Sequence, residues 1–390
     1  MKRERIIVVD VLRGFALLFI VLIHYVEHFD FFSPPSVHFL FSNTLDREVM
    51  NATFLLISGK AYSIFALLFG LSFFIQMNNK EQRGIDYRWR FLWRMTVLLL
   101  IGFLHSLIYR GDILHIYALL SLPVVFLYKV RTKYLWLIAV SLVIQLPTLY
   151  NLFQALTTPG YEYVQPLKGY FREGNIVYST GDFWEVVKYN LWKGRITVWA
   201  WTINNGRYLQ LIALFIVGLI LGRKRVFENI ENRIKGLVIT LLASIILMIV
   251  LTAINNDFKA SALTNTQKEL FNTLLTSIIN LAATSGVIVL ITLTYLKFRN
   301  FYIFRMFSAY GKMSLTNYIS QAVFGVILFY GFGFGMYRYL GSTWSFMIGA
   351  TVFIVQLIIS THWSKTHYYG PVEWIWRCAT NFDFSIKMKR

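Results

Sequence analysis

Three ionisable side chains, Asp10, Arg13 and His24, stand inside a stretch otherwise suited to lipid, IIVVDVLRGFALLFIVLIHYV at residues 6–26. A charge at membrane depth costs about 2.5–3.5 kcal/mol on insertion scales, so residues kept there are paired or serve a ligand. At about 100° and 1.5 Å per residue, the interval from Arg13 to His24 closes three turns plus roughly 20°. Both therefore lie on one helix face about 16 Å apart. Asp10 sits one turn before Arg13 and can form an i,i+3 ion pair with it. Imidazole is the usual proton acceptor near neutral pH, and a guanidinium keeps its charge where it holds an anion. The stripe reads either as a base at one end with an anion holder at the other, or as a structural ion pair with an interfacial histidine. His28 follows one turn after His24 on the same expected face, with Glu27 beside them. As a metal site this pair has weak support, for the chain has no HExxH pattern, and no metal is expected.

A second set lies in LLLIGFLHSLIYRGDILHIYALL, where His105 precedes a short Arg110-Gly111 turn and Asp112 and His115 follow it. Asp112 suits two roles, an N-cap for the following helix or an acid that orients His24. At the other expected membrane face, Arg88, Arg90 and Arg94 enter one span, and Lys312, Asn317 and Gln321 begin another. Arg88 and Arg90 are explained as topology signals. Arg94 and Lys312 lie deeper and are candidates for holding phosphates. Asn317 and Gln321, at i,i+4, are expected to face the bundle interior. The run Gly331-Phe332-Gly333-Phe334-Gly335 lacks the Lys-Ser/Thr of a phosphate cradle and reads as an outer turn. A serine-hydrolase elbow is absent.

The elements that must carry these residues are spans. The 390 residues are 56% hydrophobic and 17% aromatic, with a mean hydropathy of +0.54, the composition of an integral membrane protein. Ten apolar stretches match the ~30 Å hydrocarbon core: about 6–26, 56–77, 92–109, 112–128, 134–153, 208–222, 236–253, 272–297, 312–330 and 343–362. The expected fold is all-α, one polytopic bundle over residues 1–390, with outward connections at about 27–55 and 154–207. WEVVKYNLWKGRITVWAWTI in the second connection suits an interfacial helix. Basic loops from Lys80 to Arg90, Lys129 to Lys133, Arg223 to Lys235 and Lys297 to Arg305 place both termini in the cytoplasm. They also account for the +19 formal charge, so nucleic acid is not expected as a partner. The opening Lys2, Arg3 and Arg5 resemble a signal peptide, but Asp10 and Arg13 interrupt the apolar run and no small-residue cleavage site follows. It reads as a retained first span. Pro123 and Pro147 interrupt two spans, and the single Cys378 excludes an intramolecular disulfide.

Five motifs resemble the YeiB-like membrane proteins, the domain of unknown function 418 family. They are DVLRGFA from Asp10, KAYSIFALLFG from Lys60, GDILHIYA from Gly111, GKMSLTNY from Gly311, and GPVEWIWR from Gly370, which contains Glu373 and Arg377. Asp-x-Leu-Arg-Gly followed by Arg13 and His24 at their spacing is also similar to the first span of the acyltransferase 3 family and, more distantly, of heparan-α-glucosaminide N-acetyltransferase. That resemblance implies transfer of an acyl group from cytoplasmic acyl-CoA, such as acetyl-CoA, to an envelope carbohydrate or lipid-linked acceptor. It would make His24 the base or transient acyl carrier, with His38, His105 and His115 as other candidates and Glu27 or Asp112 orienting it. Arg13, with Asp10, Arg94, Lys312, Asn317 and Gln321, would face the cofactor. The pantetheine arm, roughly 15–20 Å long, is comparable to the helical rise between Arg13 and His24. A bacterial inner membrane is the implied setting. The competing expectation is a transporter of a small polar or lipid-like solute along the same stripe; the oligomeric state is open.

Overall fold

The apolar run that opens the chain folds as helix α1, Ile7–Val26, in a computed structural model that describes residues 6–31, 42–165 and 169–390. The helix stops because the backbone reverses hand: His28, Phe29 and Asp30 take φ of 48°, 60° and 65°, a region L residues seldom visit. Three bonds hold them there. Phe29 N–H donates to His24 O (2.8 Å), Tyr330 OH donates to Phe29 O (2.8 Å), and Arg110 Nη2 donates to Asp30 O (2.6 Å). His24 and His28 therefore do not share a helix face, contrary to the spacing argument. His28 instead bonds Ser345 Oγ (2.9 Å) and stacks on Phe329. His38 lies outside the described residues.

Ser42 caps α2, Asn43–Ile57, by accepting from Leu45 N–H. The chain then turns at Gly59, φ 82°, into α3, Lys60–Glu81. Next come α4, Arg88–Ile108, α5, Leu114–Leu120, and α6, Leu122–Leu127, with Pro123 in its first turn. The stretch expected as one span at 134–153 is two helices, α7, Thr132–Ile144, and α8, Leu146–Thr157, bent by 42°. Pro147 lacks the N–H that a continuous helix needs, and Gln145 absorbs the break at φ 53°.

The second long connection is itself helical: α9, Phe171–Thr180, then α10, Phe183–Tyr189, a π-helical turn at Asn190–Gly194, and α11, Arg195–Asn204. Over α10 and α11, Trp184 and Trp192 are exposed while Val186, Asn190 and Thr197 are buried, the two-faced pattern of an interfacial helix. It bends by 71° into α12, Arg207–Arg223. The remaining helices are α13, Ile234–Ala260, α14, Asn265–Phe298, α15, Tyr302–Lys312, α16, Ser314–Phe329, α17, Ser342–Thr366, and α18, Pro371–Asn381. Gly331–Gly335 follows α16 as a turn. Apart from one isolated bridge, His367 with Lys389, the described residues contain no strand.

α1 is the hub, packed against α3, α15, α16 and α17. Small residues bring the backbones together: a Cβ on Gly14 would lie 2.5 Å from Phe307 O, and Gly311 rests against the Asp10 carbonyl, the close approach that drives helix association in lipid. By contrast α13 buries little beyond Ser244 and Asn255 and packs on α14, presenting a broad apolar flank. Among the described residues, six helical stretches are long and apolar enough to cross a bilayer, or eight if each bent pair is one span; Leu114–Leu127 and Ser314–Phe329 are shorter. The chain is an all-helical integral membrane protein.

Candidate active site

Two groups of polar residues meet at the His24 end of α1. The first is built across the α4–α5 turn. Tyr109 ends α4 in extended backbone, and Gly102, about two turns earlier, leaves room for α5 to approach. A Cβ there would sit 3.0 Å from Asp112 Oδ2 and 2.5 Å from His115 N. Asp112, fully buried, accepts from His105 Nδ1 at Oδ1 (2.8 Å). At Oδ2 it accepts from His115 Nδ1 (2.9 Å) and from the His115 backbone N–H (3.1 Å). The cap expected from sequence is present, and the same carboxylate orients His105 and His115 in place of His24.

A carboxylate that accepts at both oxygens fixes the proton of each ring on Nδ1. Each Nε2 is then a lone-pair acceptor. Both are buried and have no hydrogen-bond partner among the described residues. Unsatisfied buried acceptors are costly and uncommon, and here one acid orients two of them.

The second group contains His24. Its orienting partner is Gln321 from α16, in place of the Asp112 or Glu27 expected from sequence. Gln321 Nε2 donates to His24 Nδ1 (3.1 Å) and to Tyr318 O (3.1 Å). With Nδ1 accepting, the ring proton sits on Nε2, so neutral His24 is a donor where His105 and His115 are acceptors. The rings of His24 and His105 both lie against Tyr109, at 5.2 and 6.0 Å, and against Tyr318, at 6.1 and 5.4 Å. Tyr318 OH accepts from Ile113 N–H (3.2 Å). Glu27 makes no side-chain hydrogen bond to His24 among the described residues.

Beside this pair, Arg110 is wholly buried and its Nε donates to Asp30 Oδ2 (2.5 Å). The guanidinium lies over Phe171 and Tyr178. Sequence reasoning passed over Arg110, Tyr109 and Tyr318. The signal present was proximity in the chain: two of them flank Asp112, and Tyr318 follows Asn317.

At the opposite end of α1, Arg13 Nη1 donates to Asp10 Oδ1 (3.1 Å), the expected pair, and Nη2 reaches Ser72 Oγ on α3. Arg94 lays its guanidinium over Trp376, 3.6 Å from the ring centre, while Nε has no partner. Arg377 stands over Tyr369. Glu373 is engaged structurally. It accepts from Leu315 and Thr316 N–H (2.6 and 3.2 Å) and from Thr316 Oγ1 (2.5 Å), capping α16 from α18. Burial holds its carboxyl above the ordinary range, partly offset by these donors. The Asn317 side chain is likewise engaged, donating to Tyr310 O and Ser360 Oγ and accepting from Ser360 Oγ at Oδ1, while its backbone carbonyl accepts from Gln356 Nε2. It joins α15, α16 and α17 as interhelical glue.

Between the two ends, the face shared by Arg13 and His24 carries Ala16, Leu17, Ile20 and Val21, all buried in the main core. The stripe faces protein, and apolar side chains fill its middle. A passage joining the two ends would require these side chains to move. A cleft of about 220 Å³ near Lys312 does not reach His24. Among the described residues, no group of three or more His, Cys, Asp or Glu is placed to hold a metal ion.

Residues 221–383 match the family model described as "Protein of unknown function (DUF418)". Over its full length the chain is similar to the uncharacterized protein YxaH of Bacillus subtilis (strain 168), 26% identical across 98% of that protein. It is also similar to an uncharacterized 39.9 kDa protein of Bacillus acidopullulyticus, 24% identical over 99% of this chain and 97% of the relative. The uncharacterized YeiB of Escherichia coli (strain K12) is 36% identical over 70 residues, 18% of each chain.

Proposed function

We propose that this chain, a member of the DUF418 family, is a membrane acyltransferase whose buried imidazoles deprotonate the hydroxyl or amine of an envelope carbohydrate or lipid-linked acceptor. One observation carries the reading: the Asp112 carboxylate holds Nδ1 of two histidines and leaves both Nε2 atoms buried without a partner. An acceptor O–H or N–H donates to His105 Nε2. As the oxygen or nitrogen attacks the acyl carbon, the proton passes to the ring, and Asp112 stabilises the imidazolium. His24, with its proton on Nε2, donates to the oxyanion that develops on the carbonyl. The ring that gained the proton then returns it to the leaving group.

Acyl-CoA, acetyl-CoA in the simplest case, supplies the activated acyl group. Arg13, Arg94 and Lys312 are the cations that would hold its phosphates. In the same reading ten helices cross a bacterial inner membrane with both termini cytoplasmic, since the four basic loops then fall on one side.

Full-length protein in lipid nanodiscs, supplied with acetyl-CoA and cell-envelope extract, should release CoA and label an acceptor. His105→Ala and His24→Ala are each expected to lower turnover about 10²- to 10⁴-fold with folding preserved. Undiminished turnover in both variants removes these residues from the reaction.

The filled middle of the stripe, with helix breaks at Gln145 and Gly206, favours a second reading, a transporter that opens by moving broken helices. Solute counterflow without CoA release would select it.

A further inference from the structure

At the Asp10–Arg13 end of the bundle, three segments distant in sequence converge on the cleft of about 220 Å³. This is many times the roughly 10–15 Å³ that one water requires. Lys312 enters from the end of α15, His367 from just past α17, and Arg390 from the end of the chain. Trp363, Tyr368 and Tyr369 supply much of the remaining wall, and among the described residues no carboxylate side chain lines it.

The arrangement is built, not a chance gathering of loose cations. The segment that carries Arg390 is fixed against α17: Tyr368 N–H donates to Met388 O (2.9 Å) and Arg390 N–H to Thr366 O (2.8 Å), around the His367–Lys389 bridge. Trp374 Nε1 donates to Ile386 O (2.7 Å) and pins the same segment to α18. The His367 ring stacks on Trp363, centres 3.9 Å apart, and the Arg390 guanidinium lies over Tyr368. Glu373, on the neighbouring α18, is spent on the α16 N-terminus. A cationic mouth with aromatic walls matches an anion that carries a larger body.

We propose that this cleft binds a phosphate ester through Arg390, Lys312 and His367, the body of the ligand resting on the aromatic wall. Two sources share that chemistry, an anionic phospholipid headgroup and a soluble nucleotide-type phosphate. The proposal stands independently of acyl transfer and meets that reading only in the soluble arm, where Lys312 would face the donor's phosphates.

The full chain is placed in phosphatidylcholine nanodiscs with and without phosphatidylglycerol, and lipid carried through extraction is weighed by native mass spectrometry. ATP is titrated against the phosphatidylcholine sample as the soluble probe. Arg390→Gln is expected to weaken whichever ligand binds about tenfold or more, with partial recovery in Arg390→Lys, because charge-assisted bonds to phosphate are the strong ones. His367→Gln serves as the second variant if Arg390→Gln fails to fold. Arg299→Gln, an exposed cation paired with Glu231, should leave binding unchanged. Loss confined to phosphatidylglycerol identifies a lipid headgroup, and loss confined to ATP a soluble ligand. Binding of neither ligand, or equal binding in wild type and both cleft variants, overturns the proposal. Because no acyl transfer is measured, His105→Ala protein must give the same titration, which separates this result from the fate of the enzyme reading.

Discussion

The two ends of α1 spend their polar groups differently. At the Asp10 end, the carboxylate meets a guanidinium one turn away and that guanidinium reaches Ser72, so the charges tie α1 to α3. At the His24 end, one carboxylate orients two imidazoles and leaves their outer nitrogens without a hydrogen-bond partner among the described residues. The same contrast recurs one turn apart on α16. Asn317 is bonded on every side, whereas Gln321 holds His24 and leaves Oε1 buried and unmatched. Satisfied groups join helices; unsatisfied ones are kept at a cost, which in the proposed reading a ligand offsets.

Asp112→Asn tests this most severely. An amide nitrogen cannot accept from an imidazole N–H, so at most one ring keeps its tautomer. Acyl transfer is expected to fall about 10²- to 10⁴-fold, measured as CoA release by nanodisc-embedded protein. Retained turnover would reduce the site to a helix cap.

Arg110→Met leaves Asp30 without its cation and should destabilise the fold by about 3 kcal/mol, the lower end of the range for a broken buried pair because Asp30 keeps some exposure. The readout is the thermal unfolding midpoint in detergent. The double variant with Asp30→Asn should recover part of the loss, since removing both charges leaves neither buried alone.

Gly102→Ala drives a methyl against His115 N and should cost about 1–3 kcal/mol. If the α4–α5 approach exists to aim the imidazoles, the same change lowers turnover more than stability.

The smallest effect belongs to the opposite end. Burial keeps the Glu373 carboxyl above its ordinary 4.5, so the folded chain holds this proton more tightly than the unfolded one. The contribution to stability is therefore full below pH 4.5 and is lost as pH rises through the folded value. Glu373→Gln should flatten that part of the pH–stability curve. An unchanged slope would show that the capping bonds outweigh burial.

Much of this was readable from residue order. The Asp10–Arg13 pair is local, i,i+3, and formed as spacing required. Asp112 lies within three residues of the backbone N–H it caps, and Pro147 breaks its helix because ring and missing N–H act on their own turn. The partner of His24 was not readable, because Gln321 is 297 positions away, nor was the clamp between Arg110 and Asp30, 80 apart. His28 left the face that its spacing assigned because Tyr330 and Arg110, both from elsewhere in the chain, stabilise a left-handed turn that no local preference favours.

By itself the sequence determined that the chain is helical and lives in lipid, since apolar length and backbone hydrogen bonding allow little else, and which local polar pairs and breaks its helices contain. Only the tertiary structure decided which imidazoles are acceptors and which is a donor. A ring's tautomer follows from the group that touches its other nitrogen, and here Asp112 serves two rings while Gln321, brought in from a distant helix, serves the third.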